Sequence, residues 1–264
     1  MTGTVQVPKP MLSRMLYANP VCLLTTTSAP TPATILPPAN EPAQPSLTET
    51  NVMTISWLTP VDNNGHFIAS MNKGRYSAEL LLSRIHGLDY SNAFFTLSVP
   101  VHGSEKLVVD VGSCSGRTTK DKLNTLGIKT CLPGWKSFET PTATEDTSTA
   151  DRGPKRSRKK EDFADEAFSR KHRLLAVSES VAHLICRVEE IQERHGHWIL
   201  HCVIGAAFCK SEYWNGKNFA PIRHPVTGVT PPPYLTFLGT KVFAAAAPFE
   251  AVEAEEGREK KEEE

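Results

Sequence analysis

The segment "GSCSGRTTKDKL", residues 112–123, combines a cysteine with glycines, hydroxyls and lysines that could serve two kinds of chemistry. Gly112 to Gly116 has the outline of a nucleophile elbow in which cysteine replaces serine. The same glycines and hydroxyls could instead surround a phosphate, which Lys120 and Lys122 would neutralise. The elements around the segment must decide between a cysteine nucleophile and a phosphate-binding loop.

The cysteine nucleophile is disfavoured by the chain downstream of the segment. A nucleophile elbow needs a strand, a sharp turn and a helix inside an α/β sheet whose later units supply an acid and a histidine. Here a charged insertion comes next, and after it come antiparallel strand patterns. We therefore interpret Cys114 as a small residue at a helix-to-loop junction.

A second candidate phosphate loop lies earlier, in "SMNKGRYSAELL". Lys73 and Arg75 directly precede a predicted helix for which Ser77 is the expected N-cap, and free N–H groups with the helix dipole favour an anion there. Together with Ser115 to Lys122, this loop suggests a phosphorylated cofactor lying across strand ends. Taken alone, each loop could equally be a solvated turn.

Metal and nucleic-acid sites are weaker alternatives. On one strand, His197 and His201 would stand about 13 Å apart, too far to share an ion, so a surface turn and strand explain these histidines and His195 better. The basic run "PKRSRKK" (154–160) is interpreted as a solvated loop, although it could be a nuclear localisation signal. The formal net charge is zero, so no nucleic-acid partner is expected.

Composition predicts a soluble globular protein. The chain has 264 residues, is 39% hydrophobic and 22% charged, and lacks an apolar stretch long enough to span a membrane. Its six cysteines show neither a C-x-x-C pair nor small-domain spacing, which indicates reduced thiols and a cytoplasmic protein. A nuclear location through 154–160 is an alternative, and a mitochondrial one is disfavoured because residues 20–27 already form a core strand.

Apolar patterns predict a mainly β fold with a few helices. The predicted strands are 20–27, 51–58, 66–71, 93–101, 181–191, 197–214 and 234–240, with 51–58 and 66–71 forming a hairpin around "DNNG". Helices are predicted at Ala78 to His86, closed by Gly87, and in a short segment that a Thr118–Asp121 capping box begins and Gly127 ends. The segment 104–111 fits helix and strand equally.

The predicted organisation is a single domain over residues 15–240. A Pro-rich loop is expected at 28–50, and a charged disordered or loosely helical insertion at 139–173. Residues 241–264 are predicted to be a solvated charged tail.

Five segments in register, spread through most of residues 15–240, resemble the flavin reductase-like family, the FMN-binding split barrels that include flavoredoxin. They are "NPVCLLTTT", "NVMTISWLTPV", "FIASMNKGRYSAELL", "SGRTTKDKLNTLGI" and "VAHLICRVEEIQERHGHWILHCVIGAAF". The resemblance implies a Greek-key split β-barrel, a helix at 104–111, and a homodimer with each flavin near the subunit interface. It also implies FMN in preference to FAD, with NADH or NADPH as the electron donor.

The resemblance also implies a set of cofactor-binding residues. Those expected to border the flavin ring or ribityl chain are Thr54, Ser56, Trp57, Ser70, Met71 and Asn72. Those expected to hold the ribityl phosphate and close the pocket are Lys73, Arg75, Tyr76, Ser77, Ser115, Gly116, Arg117 and Lys122. No catalytic side chain is implied, because the redox chemistry belongs to the flavin.

The expected function is an FMN-binding oxidoreductase, either an NAD(P)H-dependent flavin reductase or a flavoredoxin-like electron transfer protein. The alternative is a flavin-binding split-barrel protein without nicotinamide turnover, acting as an electron carrier or an interaction module. Nicotinamide consumption separates the two hypotheses.

Overall fold

The computed structural model describes residues 20–29, 49–119, 121–138, 162–239 and 241–246. Strand accounts for 42% of the structure and helix for 16%, which confirms the mainly β prediction. The principal strands are β1 (Cys22–Thr27), β2 (Thr50–Ile55), β3 (Leu58–Pro60), β4 (His66–Asn72), β5 (Phe94–Val99), β8 (Ala182–Arg194) and β9 (His197–Cys209). These seven form one curled antiparallel sheet in the order β2-β1-β5-β8-β9-β4-β3.

Two small sheets and four helices complete the described fold. The small sheets pair β6 (Thr130–Cys131) with β7 (Ala176–Val177), and β10 (Tyr234–Gly239) with β11 (Val242–Ala246). The helices are α1 (Tyr76–Leu82), α2 (Glu105–Ser113), α3 (Lys122–Thr125) and α4 (Glu166–Lys171). Within the described ranges, no helix is both long enough and apolar enough to cross a membrane.

The strand β1 is buried on both faces because it separates two cores. Cys22 and Leu24 belong to the larger core inside the curled sheet. Leu23 faces the other way, into a second core that includes Val108 of α2 and Leu235 of β10. These contacts hold α2 and the β10–β11 hairpin against the back of β1 and β2.

The β8–β9 hairpin is the longest pairing of the sheet. Each strand has 13 residues, and the tight turn between them uses positive φ angles at His195 and Gly196. Register shifts at Ile185/Cys186 and Val188/Glu190 mark bulges, which bend and twist a strand pair and so contribute to the curl of the sheet.

The predicted hairpin of 51–58 with 66–71 is wrong in one respect. The predicted strand 51–58 is interrupted at Ser56 and Trp57. As a result, β2 pairs with β1, and only the short β3 pairs with β4. The apolar alternation of Met53, Ile55 and Trp57 runs across this break, and the sequence pattern therefore hides it.

Two predicted helix caps are also wrong. Arg75 occupies the N-cap position of α1, while Ser77 lies inside the first turn, where it is fully buried and accepts a hydrogen bond from Asn51. The carboxylate that caps α3 is Asp121, which accepts from the Asn124 N–H, and Thr118 does not cap it. By contrast, the helix implied at 104–111 is confirmed as α2.

Residues 162–173, part of the insertion predicted at 139–173 to be disordered or loosely helical, pack against the sheet. They include α4, whose Phe168 is buried and meets Phe94 edge-to-face at 5.1 Å between ring centroids. Residues 139–161, and with them the basic run 154–160, lie outside the described residues, as do 30–48 of the Pro-rich loop.

The predicted solvated tail at 241–264 is wrong at its beginning. Residues 242–246 form β11, and Phe243 packs on Phe237 of β10 with 5.5 Å between ring centroids. The rest of the predicted tail, from residue 247, lies outside the described residues.

Candidate functional site

A cavity of about 520 Å³, here called the inner cavity, lies between the ends of β2 and β4, α2 and the β10–β11 hairpin. All six residues predicted to border a flavin ring or ribityl chain line it: Thr54, Ser56, Trp57, Ser70, Met71 and Asn72. The structure therefore brings this predicted set together, although β2 and β4 are not neighbours in the sheet.

The strand break at Ser56 and Trp57 shapes this cavity. Beyond the break the chain pairs with β4, and the Ser70 N–H donates a hydrogen bond to the Trp57 carbonyl at 3.0 Å. Opposite, Gly112 lets α2 approach β2 closely, because a Cβ at this position would lie 2.9 Å from Thr54 Oγ1. The sheet and the helix thus form the two walls of one slot.

Aromatic rings stand at one side of the inner cavity. Trp57 and His197 lie with ring centroids 5.4 Å apart, and Trp57 remains 42% exposed although it is a large apolar residue. Such a pair offers a surface on which a planar ligand can stack. His197 was not predicted as a cofactor-binding residue. Its place at the cavity follows from the pairing of β4 with β9, in which His197 lies opposite Asn72.

A much smaller space, here called the narrow cleft, adjoins the inner cavity. Its volume is about 80 Å³, and the two spaces share Met53, Thr54, Arg75 and Gly112 as wall residues. The narrow cleft gathers residues from both predicted phosphate loops: Arg75, Tyr76, Ser77, Ser115, Gly116 and Lys122.

The guanidinium of Arg75 is the cation best placed to meet an anion here. Arg75 is exposed, and no carboxylate of the described residues forms an ion pair with it. Arg75 is the cationic member of the four wall residues that the inner cavity and the narrow cleft share.

Lys122 does not have the role that the sequence predicted. Its ammonium is buried and donates to the carbonyls of Val52, Val111 and Cys114 at 2.9, 2.6 and 3.0 Å. Three donors are all that an ammonium has. Burial lowers the pKa of Lys122. The side chain therefore ties β2, α2 and the loop after α2 together and presents no free donor to a phosphate.

Lys73 and Arg117, which were also predicted to hold the phosphate, do not line the narrow cleft. Lys73 pairs with Glu193 at 2.6 Å, and Arg117 pairs with Glu79 at 2.7 Å. Both line a third space of about 1,120 Å³, here called the outer cleft, which adjoins the narrow cleft through Asn51, Tyr76 and Gly116.

Asn51 is a site residue that the sequence analysis missed. It is only 3% exposed, its amide nitrogen donates to Ser77 Oγ at 2.8 Å, and its Oδ1 has no hydrogen-bond partner. Buried polar atoms without a partner are rare in proteins. This one faces Gly116, whose missing side chain leaves room, since a Cβ there would lie 2.5 Å from Tyr76 Cδ1.

Cys114 follows a helix and not a strand, so the geometry of a nucleophile elbow is absent at this cysteine. Its thiol lies 3.3 Å from the Asp110 carbonyl, a helix-terminal contact that agrees with the interpretation as a junction residue. Among the described residues, no group of three His, Cys, Asp or Glu side chains is arranged to hold a metal ion.

Comparison with known proteins identifies the fold. No family model matches the sequence, and no curated protein matches it. Among solved structures, flavoredoxin from Methanosarcina acetivorans is similar, with a TM-score of 0.56, 15% identity and coverage of 97% of this chain and 98% of that one.

Two further solved structures share the architecture. An FMN-binding protein from Thermus thermophilus with bound 1-cyclohex-2-enone has a TM-score of 0.53 and 14% identity, covering 94% of this chain and 96% of that one. An NADH:FAD oxidoreductase from Streptomyces globisporus, in complex with NAD and FAD fragments, has a TM-score of 0.50 and 14% identity, covering 94% and 100%. The chain therefore has the split-barrel fold of flavin reductase-like proteins, and the predicted fold is confirmed.

Proposed function

We propose that this chain is an FMN-binding oxidoreductase of the flavin reductase-like type. The observation that carries the proposal is the position of Arg75, a cation without an ion-pair partner among the described residues, between a slot-shaped cavity and a cleft of about 80 Å³. A planar ring system joined to a phosphate matches that succession of spaces.

The residues present fit this group. Arg75 and Ser115 supply a cation and a hydroxyl at the narrow cleft, and Gly112 and Gly116 form walls that a Cβ would fill, since a Cβ at Gly112 would lie 2.9 Å from Thr54 Oγ1. Flavin, when bound, supplies hydride and electron transfer chemistry at its ring.

We assign the ring to the inner cavity, where Trp57 and His197 offer a stacking surface and Thr54, Ser56 and Ser70 offer hydroxyls. We assign the phosphate to Arg75 and Ser115 in the narrow cleft, with Tyr76 and Gly116 closing it. Positioning of the ring is the contribution of the protein, since no side-chain acid or base of the site is needed for hydride transfer.

The electron donor and the assembly belong to the same proposal. The nicotinamide donor, NADH or NADPH, is supported by the fold shared with an NADH:FAD oxidoreductase. A homodimer is supported by an apolar groove of about 550 Å³ on the sheet, lined by residues such as Leu58, Phe67 and Ile204, with Trp214 exposed at its edge. A cytoplasmic location agrees with the six free cysteines.

The test is spectroscopic. Purified protein is mixed with FMN, passed through a gel-filtration column and examined for flavin absorbance, then titrated with NADH and NADPH without oxygen. We expect co-eluting flavin that one of the nicotinamides bleaches. Bound flavin that resists both donors would instead support the electron carrier, and protein that elutes without flavin would overturn the proposal.

A further inference from the structure

A cavity of about 710 Å³, here called the hairpin cavity, lies between α2 and the β10–β11 hairpin. It shares Val109, Lys241 and Phe243 with the inner cavity as wall residues. No residue of the predicted cofactor-binding set lines it. The hairpin cavity is therefore a separate space that neighbours the proposed flavin site around the same three side chains.

The walls of the hairpin cavity are mostly apolar. Six apolar residues line it: Val109, Leu235, Val242, Phe243, Ala244 and Ala245. Among the described residues that line this cavity, none has a hydroxyl or amide side chain. The sugars of a dinucleotide would lose hydrogen bonds to water there without gaining others, so the walls favour a small apolar molecule.

Most of the charge at the rim of the hairpin cavity is already paired. His102 Nδ1 lies 2.5 Å from the carboxylate of Glu105, which also accepts a hydrogen bond from the Gly103 N–H. Lys106 pairs with Asp110 at 2.5 Å. These groups therefore leave no free cation on the α2 side of the cavity.

Lys241 differs from these residues. Its side chain is exposed, and it forms no ion pair with a carboxylate of the described residues. Its backbone has a φ of 62°, in the left-handed region that residues other than glycine rarely adopt, so the turn of the hairpin fixes its position. An apolar space with one unpaired cation at its wall matches a ligand with an apolar body and one anionic group.

We propose that the hairpin cavity binds a small apolar carboxylate, whose carboxylate pairs with Lys241 and whose body packs on Val109 and Phe243. Because these three side chains also line the inner cavity, the molecule lies next to the ring that we assign there. It is in the position of a substrate of the flavin, and this role rests on the proposed function.

The experiment measures binding of two probes by calorimetry to protein saturated with FMN. The probes are 1-naphthoate and 1-naphthamide, which have the same rings and differ in charge. Lys241→Gln removes the cation and keeps a long, unbranched side chain. Ala245→Trp, at an exposed position of β11, places a large side chain in the cavity and leaves the cation intact. Lys129→Gln, at an exposed position outside the cavities, is the matched control.

We expect Lys241→Gln to weaken binding of 1-naphthoate about three- to tenfold, as for the loss of one partly exposed charge contact, and to change binding of 1-naphthamide less than about twofold. Ala245→Trp should weaken binding of both probes, and Lys129→Gln should match the wild type. Circular dichroism verifies that each variant is folded.

Three results would overturn the inference while leaving the proposed function intact. They are no binding of 1-naphthoate to the wild type, equal binding to wild type and Lys241→Gln, and unchanged binding to Ala245→Trp. Protein that does not retain FMN would instead contradict the proposed function, and the effect of Lys241→Gln on 1-naphthoate can then still be measured in the flavin-free protein.

Discussion

The side-chain amide of Asn51 donates to the Ser77 hydroxyl at 2.8 Å, and this buried contact joins β2 to α1 behind the narrow cleft. The two residues are 26 positions apart, and the bond fixes the wall against which Gly116 packs. The position of the cleft therefore depends on a polar contact inside the fold.

Replacing Ser77 with alanine removes this acceptor and leaves the Asn51 nitrogen buried without a partner. We expect the free energy of unfolding to fall by about 1–3 kcal/mol, the cost of an unsatisfied buried donor. Urea denaturation measures it. The exposed Ser91→Ala variant should change stability by less than about 0.5 kcal/mol, and an equally small effect in Ser77→Ala would contradict the assigned contact.

Replacing Gly116 with alanine should distort the narrow cleft. The new Cβ would collide with Asn51 and lie 2.5 Å from Tyr76 Cδ1. We expect a stability loss of about 1–3 kcal/mol together with at least about tenfold weaker FMN binding. Gly205→Ala, which collides with Phe163 away from the three spaces, is the matched control: it should lose stability and retain FMN affinity.

Replacing Lys122 with methionine tests its structural role. Three carbonyls lose their shared donor, so we expect a stability loss of about 3–5 kcal/mol, as for breaking a buried charged contact. Thermal or urea unfolding without flavin measures the loss. Lys129→Met, at an exposed position, should be nearly neutral. A variant that is as stable as the wild type but binds FMN more weakly would contradict the structural role and would indicate that Lys122 contacts the phosphate.

His183 predicts a pH dependence of stability. It is fully buried, with Nε2 3.0 Å from the Val177 carbonyl and Nδ1 accepting from the Gly134 N–H at 3.2 Å, so the neutral ring satisfies both contacts. Burial lowers the pKa of His183 from its ordinary value of 6.5 to about 4. Between these values the unfolded chain binds a proton that the folded chain does not, and stability must fall as the pH falls.

The fall should begin near pH 6.5, be complete near pH 4, and amount to a loss on the order of 3 kcal/mol. Urea unfolding at several pH values measures it as the difference in pH slope between wild type and His183→Leu. Identical slopes for wild type and His183→Leu would refute the buried neutral imidazole.

Strands with a continuous apolar pattern could be predicted from the sequence. "AFFTLSVPV" contains β5, which is buried throughout. The two long apolar runs around "ERHG" predicted the β8–β9 hairpin, although β8 continues beyond 191 to Arg194 and β9 ends at Cys209 and not at 214. The strand β11, "VFAAA", was missed because its alanines carry little strand preference and only Phe243 and the pairing with β10 hold it.

The site could be predicted in its residue types but not in its pairings. The hydroxyls of Thr54, Ser56 and Ser70 were predicted from the family resemblance. The partners of the cations could not be predicted, because they are distant in sequence. Arg117 pairs with the carboxylate of Glu79, 38 residues away, and Lys122 donates to the carbonyl of Val52, 70 residues away. Asn51 gave a weak signal, as a polar residue near the start of a strand whose next residues are apolar.

Binding of FMN and of riboflavin to wild type and Arg75→Gln decides whether the narrow cleft holds the phosphate. If Arg75 meets the phosphate, the variant should bind FMN about 10- to 100-fold more weakly, since a charge-assisted hydrogen bond contributes about 1.5–3 kcal/mol. Riboflavin, which lacks the phosphate, should bind both proteins equally. Equal loss for both flavins, or no loss for FMN, would contradict the assignment of the narrow cleft to the phosphate.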